Sequence, residues 1–83
     1  MIIIATNKEV VLDTRGQLCP KPFIELVKAF MKLGGVGIVK IYTDDETCTS
    51  VIPKHAEEVG FQVISIERGD SYIIITVKME GGI

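Results

Sequence analysis

The fold of this chain follows from residues 10–35, whose sequence reads VVLDTRGQLCPKPFIELVKAFMKLGG. Val10–Asp13 is predicted to be a short buried strand, and the polar residues 14–17 favour a turn or loop after it. Pro22 suits the first position of a helix, because its missing N–H would be unpaired there in any case. Gly34 and Gly35 are expected to end this helix. Its apolar stripe recurs at helical spacing and consists of Phe23, Leu26, Val27 and Phe30.

Strand and helix signals alternate through the rest of the chain. The predicted elements are a strand at Ile38–Thr43, an acidic loop at Asp44–Glu46, a second helix capped by Thr49 or Ser50, and strands at Phe61–Glu67 and Tyr72–Met79. Pro53 is expected in the first turn of the second helix, where a proline is tolerated. Gly60 is expected to end this helix, whose inner stripe is Ile52, Ala56 and Val59.

The element order βαβαββ predicts an α+β fold, a two-layer α/β sandwich. Strands joined through a helix run parallel, whereas the last two strands should form an antiparallel hairpin. Both helices bury their apolar faces most economically on one face of a mixed four-stranded sheet. Met1–Ala5 is a candidate for an extra N-terminal edge strand, joined by a turn at Thr6–Glu9. We expect a monomer or a weak dimer, and the dimer is favoured if that strand is absent, because one sheet face would then stay apolar.

Size and composition exclude several classes of protein. The 83 residues fit a single domain, with its core at residues 10–79. A net charge of −2 and a pI near 5.3 argue against a nucleic-acid-binding surface. The longest apolar run, Met1–Ala5, is far shorter than the roughly 20 residues of a membrane helix and is no secretory signal, so a cytoplasmic location is expected. Two cysteines and one histidine favour neither a disulfide scaffold nor a metal site, and no cofactor is expected.

Cys19 is the candidate reactive residue. Pro20 and Pro22 disfavour helical geometry at the residues before them, so Cys19 should be held extended just ahead of the first helix. A thiol there is expected to face free backbone N–H groups and the positive end of the helix dipole, which would lower its pKa. Arg15 and Lys21 could add positive charge nearby. The alternative is a small buried hydrophobic residue, but that role would require neither proline.

The same segment resembles the TusA/SirA-type family of sulfur carriers. Residues 12–22, LDTRGQLCPKP, fit the family signature L-D-x-R-G-x-x-C-P-x-P, and Ile52-Pro53 stands about where the family has an I-P pair. The element order agrees as well, so the resemblance covers roughly Val10 to Met79. Gln17 stands where the family often has Leu, which is a minor departure. Met1–Glu9 precedes the usual start of the family domain.

This resemblance implies a function in sulfur transfer. Family members hold sulfur as a persulfide on the cysteine of the Cys-Pro-x-Pro motif, which is Cys19 here, and a thiosulfonate is an alternative carried form. They accept sulfur from a cysteine desulfurase or rhodanese-type donor and pass it to an acceptor protein. Known destinations include tRNA 2-thiouridine formation, molybdenum-cofactor supply and sulfur oxidation. The supporting loop would consist of Arg15, Gly16, Pro20, Lys21 and Pro22, with Asp13 ordering the turn.

A carrier of this kind fits general chemistry. Persulfide sulfur moves by exchange of the thiol–disulfide type, which requires access and a stabilised anion. It requires no deep pocket, metal or cofactor. The competing hypothesis is a non-catalytic module that regulates, or binds RNA or protein, on the same fold. The acidic pI and a content of 6% aromatic residues disfavour the RNA version.

Cys48 is a candidate second thiol. One interpretation makes it a partly buried residue at the entry to the second helix, where the acidic loop should raise its pKa. The other makes it a resolving thiol for the Cys19 persulfide or a disulfide partner of Cys19, which requires Cα atoms within about 7 Å.

Other polar residues have ordinary interpretations. His55 is expected to be an exposed or half-exposed helix residue. Asp44–Glu46 could hold a cation but is more typical of a solvated loop. The plausible basic surface around the first helix consists of Arg15, Lys21, Lys28 and Lys32, and it is either a docking face for an acidic partner or charge that only keeps the helix soluble.

Overall fold

The computed structural model of the chain describes residues 3–6 and 9–79. Two layers are formed, and two helices cover one face of a single five-stranded sheet. In chain order the elements are β1 (Ile3–Thr6), β2 (Glu9–Asp13), α1 (Lys21–Lys32), β3 (Gly37–Thr43), α2 (Cys48–Val59), β4 (Gln62–Arg68) and β5 (Ile73–Met79). The predicted α+β fold and the order βαβαββ for β2 to β5 are confirmed.

The sheet is mixed, with the strand order β1-β2-β3-β5-β4. β2 and β3 are parallel neighbours joined through α1, and β5 pairs antiparallel with both β3 and β4. The candidate edge strand is present, because Ile3–Thr6 pairs antiparallel with β2. Residues 1–2, 7–8 and 80–83 lie outside the described residues, and the centre of the turn predicted at Thr6–Glu9 falls among them. Among the described residues, neither helix is long and apolar enough to cross a membrane.

The core lies between the sheet and the helices. Its fully buried members come from the central strands and from the inner stripe of each helix, and they include Leu26, Phe30, Val39, Ile41, Ile52, Ala56, Ile75 and Val77. The rings of Phe30 and Phe61 pack with their centroids 4.7 Å apart, which closes the core where α2 leads into β4. Val59 was predicted to belong to the inner stripe of α2, but its side chain is 47% exposed. It follows Ala56 in the last turn of the helix, where the chain already leaves the sheet for Gly60.

The start of α2 differs from its prediction. The helix begins at Cys48 rather than after Thr49 or Ser50, since three successive i→i+3 bonds wind the chain from Asp45 onward. The hydroxyls of Thr49 and Ser50 donate to carbonyls three residues earlier and so cap no N–H group. Asp45 instead accepts the N–H of Thr47, as an aspartate before a helix often does. Pro53 consequently lies inside the helix rather than in its first turn.

Other boundaries moved by one residue. α1 begins at Lys21 rather than Pro22, and Pro22 is buried in its first turn. β4 begins at Gln62, directly after the core residue Phe61, and β5 begins at Ile73. These shifts leave the topology unchanged.

Candidate functional site

Both cysteines lie at the same edge of the sheet. Cys19 is in the loop that follows β2, and Cys48 opens the helix that follows β3. Because β2 and β3 are parallel neighbours, with Asp13 opposite Tyr42, their carboxyl ends meet at one edge and the two connections lie side by side. A disulfide joins Cys19 to Cys48, with their Cα atoms 5.7 Å apart. The hypothesis of a disulfide partner is therefore the one that the geometry favours.

The two sulfurs differ in accessibility. Cys19 is half-buried, and its neighbours Leu18 and Pro20 are exposed. Cys48 has no solvent exposure, so the interpretation that left it partly buried is wrong. Its side chain belongs to the apolar core beneath the two connections. A reagent in solution therefore reaches this disulfide from the Cys19 side.

Asp45 links the two cysteine-bearing segments. Its carboxylate Oδ2 accepts the N–H of Cys19 at 2.9 Å, and its carbonyl accepts the N–H of Cys48 at 3.0 Å. These contacts show that the acidic loop is not simply solvated, as its composition suggested. The N–H groups of Cys19 and Thr47 hold the pKa of Asp45 below its usual value, so the carboxylate is charged at neutral pH.

Asp44 holds the turn before Cys19. Both oxygens of its carboxylate accept the N–H of Gly16, at 3.0 and 3.2 Å. Gly16 has φ +90°, a conformation that side chains with a Cβ rarely adopt, although a Cβ there would meet no atom within 4 Å. The backbone conformation, rather than lack of space, is therefore the reason for glycine at this position. The third acid, Glu46, pairs with Arg68 at 2.6 Å, away from the cysteines.

Asp13 and Arg15 form a two-point ion pair within the turn. The Arg15 guanidinium donates from Nε to Oδ1 at 2.9 Å and from Nη2 to Oδ2 at 2.7 Å. This contact, together with the Arg15 N–H, lowers the pKa of Asp13 to about 2. Arg15 was expected to contribute positive charge at Cys19, but Asp13 balances much of that charge. The Asp13–Arg15 pair therefore stabilises the conformation of the turn.

The electrostatic environment of the sulfurs differs from the one that the sequence suggested. The N–H of Lys21 bonds to the Leu18 carbonyl, and those of Phe23 and Ile24 bond to the Pro20 carbonyl. The expected free N–H groups at the start of α1 are thus already paired. One carboxylate oxygen of Asp45 lies within 4.8 Å of both Sγ atoms. After reduction, its charge would disfavour a thiolate on either cysteine by like-charge repulsion.

Thr43 supplies the polar contact that favours negative charge on Cys48. Its Oγ1 lies 3.7 Å from the Cys48 Sγ as a donor, and it accepts the Asp45 N–H at 3.1 Å. Both Thr43 and Cys48 are fully buried. Because the oxygen already accepts from Asp45, its proton is directed to the sulfur. Sequence reasoning missed Thr43, Asp44 and Asp45, although their position at the carboxyl end of β3, just before Cys48, was a usable signal.

The remaining candidate residues lie around this centre. The exposed residues next to Cys19 are Leu18, Pro20 and Lys21, and the exposed face of α1 continues away from it through Ile24, Lys28, Met31 and Lys32. Leu18 is 75% exposed, which makes it the most prominent apolar side chain near the sulfur. His55 lies on α2 beside Phe23, with ring centroids 5.4 Å apart, and its Nδ1 is 3.1 Å from Glu58.

One group of side chains has the composition of a metal site. The ligand atoms of Cys19, Asp45 and Cys48 all lie within 4.8 Å of one another. The disulfide occupies both sulfurs, so a thiophilic ion could bind there only after reduction. Two thiolates and a carboxylate leave one position short of a structural zinc set. The arrangement is therefore better suited to thiol–disulfide exchange.

Comparison with known proteins gives consistent matches. The sequence model of the family Sulfurtransferase TusA matches residues 10–79. A proposed sulfur carrier protein of Archaeoglobus fulgidus is 29% identical over 69 residues, which cover 83% of this chain and 94% of that protein. A second one, of Thermotoga maritima, is 30% identical over 70 residues, covering 83% of this chain and 89% of its own. The crystal structure of a SirA-like protein from Desulfitobacterium hafniense superposes with a TM-score of 0.73 and 31% identity, covering 88% of this chain and 97% of that one.

Proposed function

The chain belongs to the TusA sulfurtransferase family, and from that membership we propose that it is a sulfur carrier that holds sulfur as a persulfide on Cys19. The observation that carries this proposal is the half-buried Cys19 between exposed Leu18 and Pro20, at the edge of the sheet. A carried sulfur must be reached by two different proteins in turn, and a cysteine on an exposed loop permits both contacts. Because the reactive cysteine lies at an exposed loop rather than in an enclosed pocket, the donor and the acceptor must supply the remaining catalytic groups.

Loading requires Cys19 in its reduced form. The Cys19 thiolate attacks the terminal sulfur of a donor persulfide, the bond between the two donor sulfurs breaks, and the donor leaves as a thiolate. Delivery repeats this exchange, with the acceptor thiolate attacking the terminal sulfur on Cys19. Neither step consumes an external oxidant or reductant, because the sulfane sulfur keeps its oxidation level as it moves between thiolates. A dithiol reductant must open the Cys19–Cys48 disulfide first, and we place the relay in the cytoplasm, where such reductants are abundant.

The surface beside Cys19 is suited to protein contacts. Leu18 next to Cys19, and Ile24 and Met31 farther along α1, expose apolar side chains, and Lys21, Lys28 and Lys32 add positive charge along the same helix. The chain as a whole has a net charge of −2, so this basic face is local. It complements a partner surface with an apolar centre and an acidic rim. Arg15 is not available for such a contact in the same way, because Asp13 pairs with it.

Intact mass spectrometry of the reduced protein tests the proposal. Cys48→Ser is incubated with a cysteine desulfurase and cysteine, and separately with thiosulfate or tetrathionate. We expect an adduct that a reductant removes. It should be one sulfur atom from the desulfurase, or from thiosulfate with sulfite as the leaving group, and a thiosulfonate from tetrathionate with thiosulfate as the leaving group. The effective donor would distinguish a thiolation relay, such as tRNA 2-thiouridine formation, from sulfur oxidation.

Two comparisons control this experiment. The Cys19→Ser variant should gain no adduct, and the Ser50→Ala variant, altered at an exposed residue of α2, should load as the unaltered chain does. If Cys48→Ser gains no adduct from any donor and Cys19 resists alkylation, the carrier proposal fails. A regulatory or binding module on this fold would then be favoured.

A further inference from the structure

The sulfur of Cys19 is accessible from solution and that of Cys48 is buried, and the pairing of the two points to a second reaction. We propose that Cys48 is a resolving thiol, which discharges the Cys19 persulfide as hydrogen sulfide when no acceptor collects the sulfur. This inference rests on the proposed carrier function. Its basis is the Cys19–Cys48 disulfide, which is the product that such a resolving step would leave.

The fold holds the two sulfurs ready for this reaction. The Cα separation of 5.7 Å lies within the usual range for disulfides, about 4.4–6.8 Å, so closure fits the native backbone. Asp45 fixes both ends, because it accepts the N–H of Cys19 through its carboxylate and that of Cys48 through its carbonyl. A thiol held in this way competes with free thiols in solution at a high effective concentration.

Burial restricts Cys48 to one partner. Its side chain has no solvent exposure, so a protein or a small thiol in solution cannot reach it. The disulfide shows that its Sγ can bond to the Sγ of Cys19. Cys48 is therefore suited to attack the inner sulfur of a Cys19 persulfide. A donor or acceptor, in contrast, approaches the terminal sulfur from outside.

The step balances as an internal exchange. The Cys48 thiolate donates an electron pair to Cys19 Sγ, and the new Sγ–Sγ bond forms. The bond from Cys19 Sγ to the terminal sulfur breaks, and its electron pair leaves with that sulfur as HS⁻, which takes up a proton. The carried sulfur is reduced to sulfide, and the two cysteine sulfurs are oxidised to a disulfide. A dithiol reductant then restores both thiols for the next cycle.

Thr43 acts as a positioning residue for this step. Its hydroxyl donates to the Cys48 Sγ at 3.7 Å, which stabilises the thiolate that attacks. The Asp45 carboxylate, within 4.8 Å of both sulfurs, opposes negative charge at the same place. The Thr43 hydroxyl should increase the rate of discharge, and the Asp45 carboxylate should decrease it. With both groups present, discharge would be slow enough for the Cys19 persulfide to reach an acceptor before Cys48 releases its sulfur as sulfide.

The principal test measures sulfide release and persulfide lifetime together. Reduced unaltered chain and reduced Cys48→Ser are loaded by a desulfurase and cysteine, the donor is removed, and both are followed without added thiol. We expect the unaltered chain to release one sulfide per loaded chain and to become the internal disulfide. Cys48→Ser should keep its adduct at least about tenfold longer. Thr43→Val should slow the release several-fold, whereas Thr43→Ser, which keeps the hydroxyl, should restore it.

Failure of this inference is distinguishable from failure of the carrier function. Equal adduct lifetimes in the unaltered chain and Cys48→Ser would overturn the resolving role while leaving the carrier intact. If no donor loads Cys19, the carrier proposal falls, and glutathione disulfide tests the resolving step directly. Reduced unaltered chain should then reach the internal disulfide with glutathione released, whereas Cys48→Ser should accumulate the mixed disulfide. A stable glutathione adduct on the unaltered chain would overturn the inference.

Discussion

The two strand-to-helix connections that meet at the site have similar topology and opposite chemistry. The first, residues 14–20 between β2 and α1, ends in Pro20 and presents its cysteine half-buried between exposed neighbours; Pro22 follows in the first turn of α1. The second, residues 44–47 between β3 and α2, is shorter and acidic, and the cysteine that follows it is completely buried. Parallel pairing of β2 and β3 brings both connections to one edge. The difference in length and composition decides which sulfur is offered to partners.

Reduction of the disulfide should have the largest effect on stability, because it separates the two connections. The bond closes a loop of 29 residues in the unfolded chain, for which chain entropy gives about 3.6 kcal/mol. We therefore expect a dithiol reductant to lower the free energy of unfolding by about this amount in urea titrations. Cys48→Ser should not respond to the reductant. An unchanged urea midpoint in the unaltered chain would show that the connections are held by the acidic loop alone.

Gly16→Ala should have the next largest effect, and it acts on the first connection only. A residue with a Cβ at φ +90° is strained, which costs about 1–2 kcal/mol. Gly60→Ala is a matched control, since Gly60 has φ +87° and equally open surroundings at the far end of α2. The two variants should lose similar stability. Only Gly16→Ala should change the rate at which Cys19 is alkylated in the reduced protein; equal rates would separate the turn from the reactive sulfur.

The buried apolar residues that pack beneath the two connections could be predicted from the sequence. The stripe of α1 and the alternation in β3 and β5 are local patterns, and each follows from the periodicity of its element. Leu26, Phe30, Val39, Ile41, Ile75 and Val77 are accordingly buried. The fold class and the order of the elements followed from those patterns. The prolines around Cys19 likewise marked the loop from short-range signals.

The polar part of the site could not be predicted in the same way. Asp44 and Asp45 bind Gly16 and Cys19 across 28 and 26 residues of sequence, and no local pattern carries that information. The start of α2 was misplaced by two or three residues, because the Asp45 side chain and the i→i+3 bonds that follow it begin the helix before the hydroxyl residues that were expected to cap it. Proximity of the cysteines required the sheet register, which the sequence implies only through the parallel pairing of two strands.

Gln17→Leu, also in the first connection, should raise the stability of the protein, whereas Gly16→Ala and disulfide reduction lower it. The Oε1 of Gln17 is buried and has no hydrogen-bond partner among the described residues, and an unsatisfied buried acceptor costs about 1–3 kcal/mol. Replacement by leucine should therefore raise the free energy of unfolding by about 1 kcal/mol. Gln62→Leu, at an exposed position of β4, controls for added hydrophobicity. A loss of stability in Gln17→Leu would mean that the rest of the glutamine side chain contributes more than its oxygen costs.

The acid limb of the stability profile should show the smallest effect, and it distinguishes the two connections by charge. The pKa of Asp13 is lowered to about 2, and that of Asp45 is also lowered. Groups with a depressed folded-state pKa contribute stability that is complete above their unfolded pKa, about 4, and is lost as the pH falls through the folded value.

Arg15→Gln removes the partner of Asp13 in the first connection and leaves Asp45 in the second unaltered. Urea midpoints measured from pH 5 downward should therefore fall less steeply in Arg15→Gln than in the unaltered chain, with Arg68→Gln as the control on the exposed pair with Glu46. The Asp13–Arg15 pair is exposed to solvent, so the difference between the profiles should be small and should shrink further in high salt. Identical slopes at low salt would assign the acid sensitivity to the acidic connection and leave the turn before Cys19 without an electrostatic contribution.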